Sequence, residues 1–243
     1  MTEKINKSKF DKEGFLYLPN FLSNNEIDAI NLKINEIVAS CLSKIPTRHY
    51  KFEDPENKQG LKMIQDLHVY DTFFKHLLFE SKFSAMAEQI LGEPVQGKTV
   101  EFFNKPAKIG KATPPHQDGY YFMLNPMSAV TFWLSLEDVN EENGWVSYVK
   151  GSHLKGIRAH SKSQTLGFSQ EIQDFGTPLD LENEVFMPTN PGDLLLHHAL
   201  TIHRAAPNTS INRSRKALGL IYFGESAKED LVAKKAYIAA LNK

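Results

Sequence analysis

The feature that most constrains the fold is a change in the pattern of residue types at Gly92. Beyond it, short runs rich in β-branched and aromatic residues alternate with Gly, Pro and Asn as far as residue 223. The runs fall at 95–103, 129–136, 145–149, 184–187, 193–203 and 216–223. Many short strands separated by turn residues are typical of an antiparallel β sandwich or barrel. The segment 93–224 is therefore predicted to form a mainly β core.

One run shows which side chains should face which side of its strand. In 129–136, Val130, Phe132 and Leu134 alternate with Thr131 and Trp133. Neighbouring side chains of a strand point to opposite faces. The first set should meet the main core, and Trp133 should face the other way.

The first 92 residues are predicted to be mainly helical support. Ser23 and Glu26 form a capping-box pattern, and isoleucines then recur at helical spacing, which predicts a helix over 24–42. The polar stretch 43–60 has no period and is predicted to be a loop, either a solvated surface or a lid. At the other end, Ser226 and Glu229 predict a capped helix within 225–243.

Composition limits the classes of partner. With 243 residues, 41% of them hydrophobic, the chain is expected to form a single domain over 1–243. Lys and Arg number 28 against 29 for Asp and Glu, so the chain has no net positive charge to attract nucleic acid or an anionic membrane. The single cysteine and the charged start favour a cytoplasmic protein. We expect small-molecule partners; the oligomeric state stays open.

The stretch "TPPHQDGYYF", 113–122, places a histidine and a carboxylate two residues apart. If the backbone is extended there, His116 and Asp118 point to the same side and can share one ligand. The 2-His-1-carboxylate set of non-heme Fe(II) oxygenases needs such a pair and a second histidine from elsewhere. By itself the pair is weak evidence, since a turn histidine and a capping aspartate give the same letters.

A second stretch, 191–222, can supply the second histidine. It has an apolar strand-turn-strand character and carries these histidines and arginines: His197, His198, His203, Arg213 and Arg215. In a jelly roll, a histidine at a strand end can reach a metal held by the preceding strand pair. His203 is the candidate, although an ordinary strand histidine is the bland alternative.

Together these motifs resemble, in order, the phytanoyl-CoA dioxygenase family of Fe(II)/2-oxoglutarate oxygenases. The resemblance spans almost the whole chain. Beyond the histidine pair it rests on these segments: "FDKEGFLYLPNFLS" (10–23), "FFNKP" (102–106), "FWLSLED" (132–138), "ENGWVSYVKGSH" (142–153), Gly192 with Asp193, Pro207 with Asn208, and Arg215 to Ala217. It implies a double-stranded β-helix (jelly roll, cupin-like) with the N-terminal helices packed on one sheet.

The resemblance also implies roles for individual residues. His116, Asp118 and His203 correspond to the iron ligands, and Arg215 to the partner of the distal carboxylate of 2-oxoglutarate. A planar guanidinium can engage a carboxylate through two bonds. Trp133 matches a position beside the cosubstrate, and Gln65 a polar position near the site.

Two departures from the family pattern bear on these roles. The family often has a serine soon after the distal histidine, whereas this chain reads "HRAA" and Ala205 has no hydroxyl. One extra residue also separates His203 from the Arg-Lys-Ala group, so Arg213 competes with Arg215 for the carboxylate. Because Asp118 is present, hydroxylation is favoured over halogenation, in which chloride takes the place of the carboxylate.

The substrate pocket is the least defined part of the site. Tyr120, Tyr121 and Phe122 are its candidate lining, since alternation should bring at least one of them inward. His198 matches a histidine often seen in the family and is a further candidate. Cations such as Lys62 at the entrance would favour a substrate with an anionic end.

The predicted activity is an Fe(II)- and 2-oxoglutarate-dependent hydroxylase. It would consume O2, release succinate and CO2, and hydroxylate an unactivated C–H of a small or medium-sized molecule. Two alternatives stay open: another cupin-type metalloenzyme, and a catalytically silent sensor that binds metal or 2-oxoglutarate. Succinate formation separates the first reading from both.

Overall fold

A computed structural model of the chain describes residues 5–167 and 169–241. The helices are α1 Lys7–Glu13, α2 Asn24–Glu36, α3 Leu67–Tyr70, α4 Thr72–Phe79, α5 Lys82–Leu91, α6 Gly119–Phe122, α7 Pro178–Asn183 and α8 Leu231–Leu241. The strands are β1 Phe15–Leu18, β2 Tyr50–Asp54, β3 Gln59–Ile64, β4 Val95–Lys105, β5 Thr113–His116, β6 Leu124–Asn125, β7 Ala129–Ser135, β8 Val146–Val149, β9 His160–Lys162, β10 Gln170–Ile172, β11 Glu184–Met187, β12 Leu194–His198, β13 His203–Ala205, β14 Arg215–Gly224 and β15 Lys228–Glu229.

Two antiparallel sheets make up the jelly roll. The major sheet has seven strands in the order β1-β12-β7-β14-β4-β3-β2, and the minor sheet has four in the order β11-β8-β13-β5. Strands distant in sequence are neighbours, as when β12 pairs with β7 and β14 with β4. The predicted jelly-roll core is confirmed. None of the helices in the described segments is long and apolar enough to cross a bilayer.

The N-terminal helices cover the outer face of the major sheet, as predicted. Their buried side chains recur at helical spacing and meet alternate residues of β7, β12 and β14 in one cluster, which includes Ile27, Ile30, Ile34, Phe74, Leu78, Phe83, Ile90, Phe132, Leu134, Leu196 and Leu220. Burying each large apolar side chain contributes about 1.5–3 kcal/mol. The helix begins as predicted, since Ser23 and Glu26 form the capping box of α2. It leaves α geometry at Ile37–Cys41, where a π turn follows.

The opposite face of the major sheet looks toward the minor sheet. Trp133 and Leu195 from the major sheet meet Val146 and Tyr148 from the minor sheet in a second cluster. The alternation predicted for 129–136 is confirmed, because Phe132 and Leu134 face the helices while Trp133 faces the minor sheet.

The prediction of a loop or lid at 43–60 is wrong. β2 and β3 form a hairpin that extends the major sheet, and Met63 pairs with Phe103 of β4. The stretch looked solvated because it is charged. One of those charges, Glu53, is nevertheless buried and lies 3.2 Å from the buried Lys62 of β3, so the two neutralise each other inside the protein.

Two further strand assignments need correction. β1 lies within the region predicted to be mainly helical and pairs with β12 at the edge of the major sheet. The predicted strand 193–203 is two strands, β12 in the major sheet and β13 in the minor sheet. The segment between them crosses from the major sheet to the minor sheet, so His203 belongs to the minor sheet.

The C-terminal helix begins later than predicted. Asp230, not Ser226, caps α8, because its Oδ1 accepts the amide hydrogens of Val232 and Ala233 at 3.0 and 2.9 Å. Ser226 instead donates its hydroxyl to Glu93 at 2.9 Å. Residues 242–243 lie outside the described part of the chain. The single-domain boundaries stay a prediction.

Candidate active site

Three side chains predicted from separate motifs meet at one end of the minor sheet. His116 ends β5, His203 begins β13, and the two are partners in the antiparallel ladder. Asp118 follows β5 by two residues. The donor atoms of the three lie within 4.8 Å of one another, with Asp118 Oδ1 at 3.6 Å from Nε2 of both histidines.

An extended backbone accounts for only part of the convergence of His116 and Asp118. The backbone is extended at His116, but Asp118 has φ −57° and ψ −34° and immediately precedes the short helix α6. The carboxylate therefore reaches the histidines from a turn, not from a continuing strand.

Backbone carbonyls orient both imidazole rings. Nδ1 of His116 lies 2.8 Å from the carbonyl oxygen of Pro114, and Nδ1 of His203 lies 2.9 Å from that of Thr201. A carbonyl only accepts, so each Nδ1 carries the hydrogen. Each Nε2 is left with a lone pair that faces Asp118.

The other carboxylate oxygen of Asp118 is held by residues outside the predicted set of site residues. Oδ2 accepts the hydroxyl hydrogen of Thr131 at 2.6 Å and lies 3.1 Å from Nε2 of His197. Nδ1 of His197 in turn lies 3.1 Å from the hydroxyl of Tyr148. These contacts leave Oδ1 facing the histidines. The signal for His197 was available, since it alternates with Leu194 and Leu196, whose side chains face the helices.

The protonation states of the three groups suit a divalent cation. Burial, with His203 beside it, lowers the pKa of His116 to about 4, and burial, with His197 beside it, lowers the pKa of His203 to about 4. Burial alone would raise the pKa of Asp118, but the surrounding histidines hold it well below its ordinary value. Two neutral imidazoles and one carboxylate result, which is the form in which these groups bind a metal.

Arg215, the first residue of β14, supplies a buried positive charge on the facing sheet. It is 4% exposed, and its Nε and Nη1 have no hydrogen-bond partner among residues 5–167 and 169–241. Burial lowers the pKa of this guanidinium to about 10, so it stays charged at neutral pH. Its central carbon lies 5.3 Å from the ring centre of Trp133, and Lys105 is its partner in the ladder. Buried donors without acceptors point to an anionic ligand.

Two buried lysines, Lys62 and Lys105, lie near Arg215. Lys62 is paired with Glu53, so the cation is neutralised inside the wall. Lys105 donates to the carbonyl oxygen of Lys111. Burial, with Arg215 and Lys62 nearby, holds the pKa of Lys105 well below its ordinary value.

The three metal-binding candidates and Arg215 line one cavity of about 280 Å³ between the sheets. Other predicted site residues also line it: Gln65, Trp133, Tyr121 and Phe122. Further lining residues were not predicted: Glu101, Phe103, Lys105, Thr113, Thr131, Tyr148 and His197.

Three predicted candidates lie elsewhere. Arg213 is on the surface, where its guanidinium donates to the carbonyl of Asp138. His198 is on the outward side of β12, with its ring 5.5 Å from that of His153. Tyr120 stacks on His160 at 4.2 Å and is not among the cavity-lining residues. Strand parity separates the two neighbours, so His197 lines the cavity while His198 faces away from it.

The fold and the site together define a class of protein. A jelly roll with a 2-His-1-carboxylate set and a buried, unpartnered arginine in one cavity is a non-heme Fe(II)/2-oxoglutarate-dependent oxygenase. The sequence model of the phytanoyl-CoA dioxygenase (PhyH) family matches residues 10–217. The chain belongs to that family, whose members use Fe(II), 2-oxoglutarate and O2, and the resemblance seen in the sequence is confirmed.

Individual relatives agree with this assignment. The chain is 27% identical over 244 residues to phytanoyl-CoA dioxygenase domain-containing protein 1 of Danio rerio. That alignment covers 83% of this chain and 84% of the Danio rerio protein. It is 34% identical over 139 residues to 1-deoxypentalenic acid 11-beta-hydroxylase of Streptomyces exfoliatus, covering 51% and 47%.

A solved structure shares the fold. It is the epimerase SnoN in complex with Fe3+, alpha-ketoglutarate and nogalamycin RO. The superposition has a TM-score of 0.74 at 23% identity and covers 92% of this chain and 84% of that chain. Enzymes on this fold therefore do not all share one reaction.

Proposed function

We propose that this enzyme hydroxylates an unactivated C–H bond of a small or medium-sized organic substrate. The overall reaction converts substrate, O2 and 2-oxoglutarate to hydroxylated substrate, succinate and CO2. The observation that carries the proposal is the presence of the complete His116, Asp118 and His203 set in one cavity with Arg215. The hydroxylase relative from Streptomyces exfoliatus supports the reaction type.

In this proposal the three side chains would hold Fe(II). Fe(II) bound there would supply the redox chemistry that activates O2. The protein fixes the geometry of the donor atoms: Pro114 and Thr201 orient the imidazoles, and Thr131 and His197 hold the outer oxygen of the carboxylate. Such supports usually affect metal affinity as well as orientation.

Arg215 is proposed to bind the distal carboxylate of 2-oxoglutarate through its unpartnered nitrogens. Trp133 packs against the guanidinium and keeps water from one of its faces. Lys105, opposite Arg215 in the ladder, adds a second donor to the same end of the cavity. Gln65 also lines the cavity, but its amide is directed to Glu101, at 3.4 Å, and it is not proposed as a cosubstrate ligand.

Ala205 leaves one wall of this subsite without the hydroxyl that the family often has. Its partner in the ladder is Thr113, which also lines the cavity. We propose that the Thr113 hydroxyl serves the cosubstrate carboxylate in place of the missing serine.

Substrates are expected to be small molecules, as for the family. Nothing in the net charge of −1 favours nucleic acid or an anionic membrane surface as a partner. A cytoplasmic location stays a prediction. The positive entrance expected from Lys62 does not support an anionic substrate, because Glu53 neutralises this lysine.

The test combines metal binding with product analysis. His116→Ala, Asp118→Ala and His203→Ala should each abolish or greatly weaken Fe(II) binding, measured anaerobically, whereas His198→Ala should leave it unchanged. In air, wild type should convert 2-oxoglutarate to succinate, and substrate should stimulate this and gain one oxygen. A product of unchanged mass would favour epimerisation. Absence of succinate under all conditions would favour a silent sensor or another cupin-type enzyme.

A further inference from the structure

One acidic residue in the cavity has no part in the proposed metal or cosubstrate sites. Glu101 lies on β4, where Val100 and Phe102 face the helical core. By strand alternation Glu101 faces inward, and it lines the cavity. Its partner in the ladder is Gly219, so no side chain opposes it from β14.

Glu101 lies well away from the cationic end of the cavity. Lys105, the partner of Arg215, is four residues further along β4. At the rise of a strand, this places the two positions about 13 Å apart. A cosubstrate held at Arg215 would therefore leave Glu101 exposed to a second molecule in the cavity.

The charge of Glu101 is not balanced by the protein. No Lys, Arg or His of the described segments forms an ion pair with it, and its one hydrogen bond comes from the Gln65 amide at 3.4 Å. Burial raises its pKa to about 7, Gln65 opposes that rise, and the nearby carboxylates Asp66 and Asp118 add to it. A half-buried carboxylate with so little support is costly, and such groups are often ligand-binding.

We propose that Glu101, with Gln65, binds an ammonium group of the substrate. An ammonium would neutralise the carboxylate, and it could donate to the side-chain oxygen of Gln65 as well as to Glu101. A neutral hydroxyl could accept the same geometry but would leave the charge uncompensated. The inference rests on the proposed oxygenase function, and it names an amine as the substrate class.

Ligands matched in carbon skeleton test this directly. The probes are cyclohexylmethylamine, cyclohexylmethanol and cyclohexanecarboxylate, titrated by ligand-observed NMR at pH 8 into protein loaded with 2-oxoglutarate and Zn(II), which does not turn over. Wild type should bind the amine at least about tenfold more tightly than the alcohol or the acid. Glu101→Gln, which keeps the shape and removes the charge, should bind amine and alcohol alike.

Two variants serve as controls. Glu101→Asp should retain part of the amine preference, and Glu141→Gln, at an exposed carboxylate, should retain all of it. Equal affinity for amine and alcohol in wild type, a preference that survives in Glu101→Gln, or no amine binding to loaded protein would each overturn the inference. Succinate formation without the amine preference would reject only this inference. An amine preference without succinate formation would reject only the proposed activity.

Discussion

At the residue scale, the site depends on how two oxygens of one carboxylate are divided. Oδ1 of Asp118 faces both histidines, while Oδ2 is occupied by Thr131 and His197. If Oδ2 were unoccupied, the carboxylate could rotate about its terminal bond, whose torsion has a broad energy profile. The neighbours therefore fix the oxygen that faces the two histidines.

A first prediction follows for Thr131 and His197. Thr131→Val and His197→Phe should each weaken Fe(II) binding about 10- to 100-fold without abolishing it, because removing the support of a ligand commonly has that effect. Anaerobic Fe(II) titration measures the change. Thr189→Val is the matched control, since its hydroxyl is buried against Ser135 outside the cavity. Wild-type affinity in both site variants would contradict this account of the carboxylate.

A second prediction separates the two arginines. Arg215→Ala should raise the 2-oxoglutarate concentration needed for half-maximal succinate formation by about 100-fold, since loss of a charge-assisted pair in a buried site costs about 2–4 kcal/mol. Arg213→Ala, at the surface, should change it less than twofold. Arg215→Lys should recover only part, because an ammonium lacks the planar pair of donors. The reverse order of the two alanine variants would assign the carboxylate to Arg213.

At the element scale, alternation and turn residues predicted the strands that bury uncharged side chains. The run 184–187 coincides with β11, and 129–136 differs from β7 by one residue at its end. The hairpin β2–β3 was missed because its interior contains Glu53 and Lys62, which form a buried ion pair. In the sequence, two charged residues that pair only after folding cannot be distinguished from solvent-exposed residues. The split between β12 and β13 was missed because the crossing between the sheets, residues 199–202, contains no Gly, Pro or Asn to mark a turn.

The candidate site shows the same division between local and distant information. The spacing of His116 and Asp118, and the order of His203 and Arg215 after them, were readable from the sequence. The contacts of Thr131, His197 and Tyr148 join three strands that are remote along the chain, so only the register reveals them. Glu101 was invisible for the same reason, because its burial depends on the pairing of β4 with β14.

A third prediction concerns the Gly-Asp turn that begins β12. The carboxylate of Asp193 accepts hydrogen bonds from the Tyr17 hydroxyl and from the backbone amides of Asn20 and Asn190, each at 2.8 Å. Asp193→Ala should lower the free energy of unfolding by about 1.5–3 kcal/mol, because it removes a buried carboxylate that accepts three part-buried hydrogen bonds. Urea denaturation measures this.

The same variant distinguishes structure from catalysis. Asp193 does not line the cavity, so the folded fraction of Asp193→Ala should need the wild-type concentration of 2-oxoglutarate. Asp28→Ala, at an exposed carboxylate on α2, should leave stability within about 0.5 kcal/mol of wild type. If the variant instead needed more 2-oxoglutarate than wild type while its stability was unchanged, the turn would act on the site.

At the scale of the whole molecule, the two sheets contribute different chemistry to one cavity. The minor sheet carries the histidines on β5 and β13, and the major sheet carries Arg215, Lys105 and Glu101 on β14 and β4. A ligand that contacts both walls therefore joins the two sheets. The helices packed behind the major sheet hold its strands in place, so the spacing between the walls depends on the core as a whole.

A fourth prediction follows from that joining of the walls. With Zn(II) present, 2-oxoglutarate at about 100 times its dissociation constant should stabilise the protein by about 2.7 kcal/mol, because only the folded state holds both subsites. For a chain of this length the midpoint of thermal unfolding should rise by roughly 5 °C or more. Glutarate, which keeps both carboxylates but lacks the keto group, should give a smaller rise. Arg215→Ala should lose most of the rise with 2-oxoglutarate, whereas Arg213→Ala should keep it. An equal rise in wild type and Arg215→Ala would mean that the cosubstrate binds to one wall only and that the unpartnered guanidinium serves another ligand.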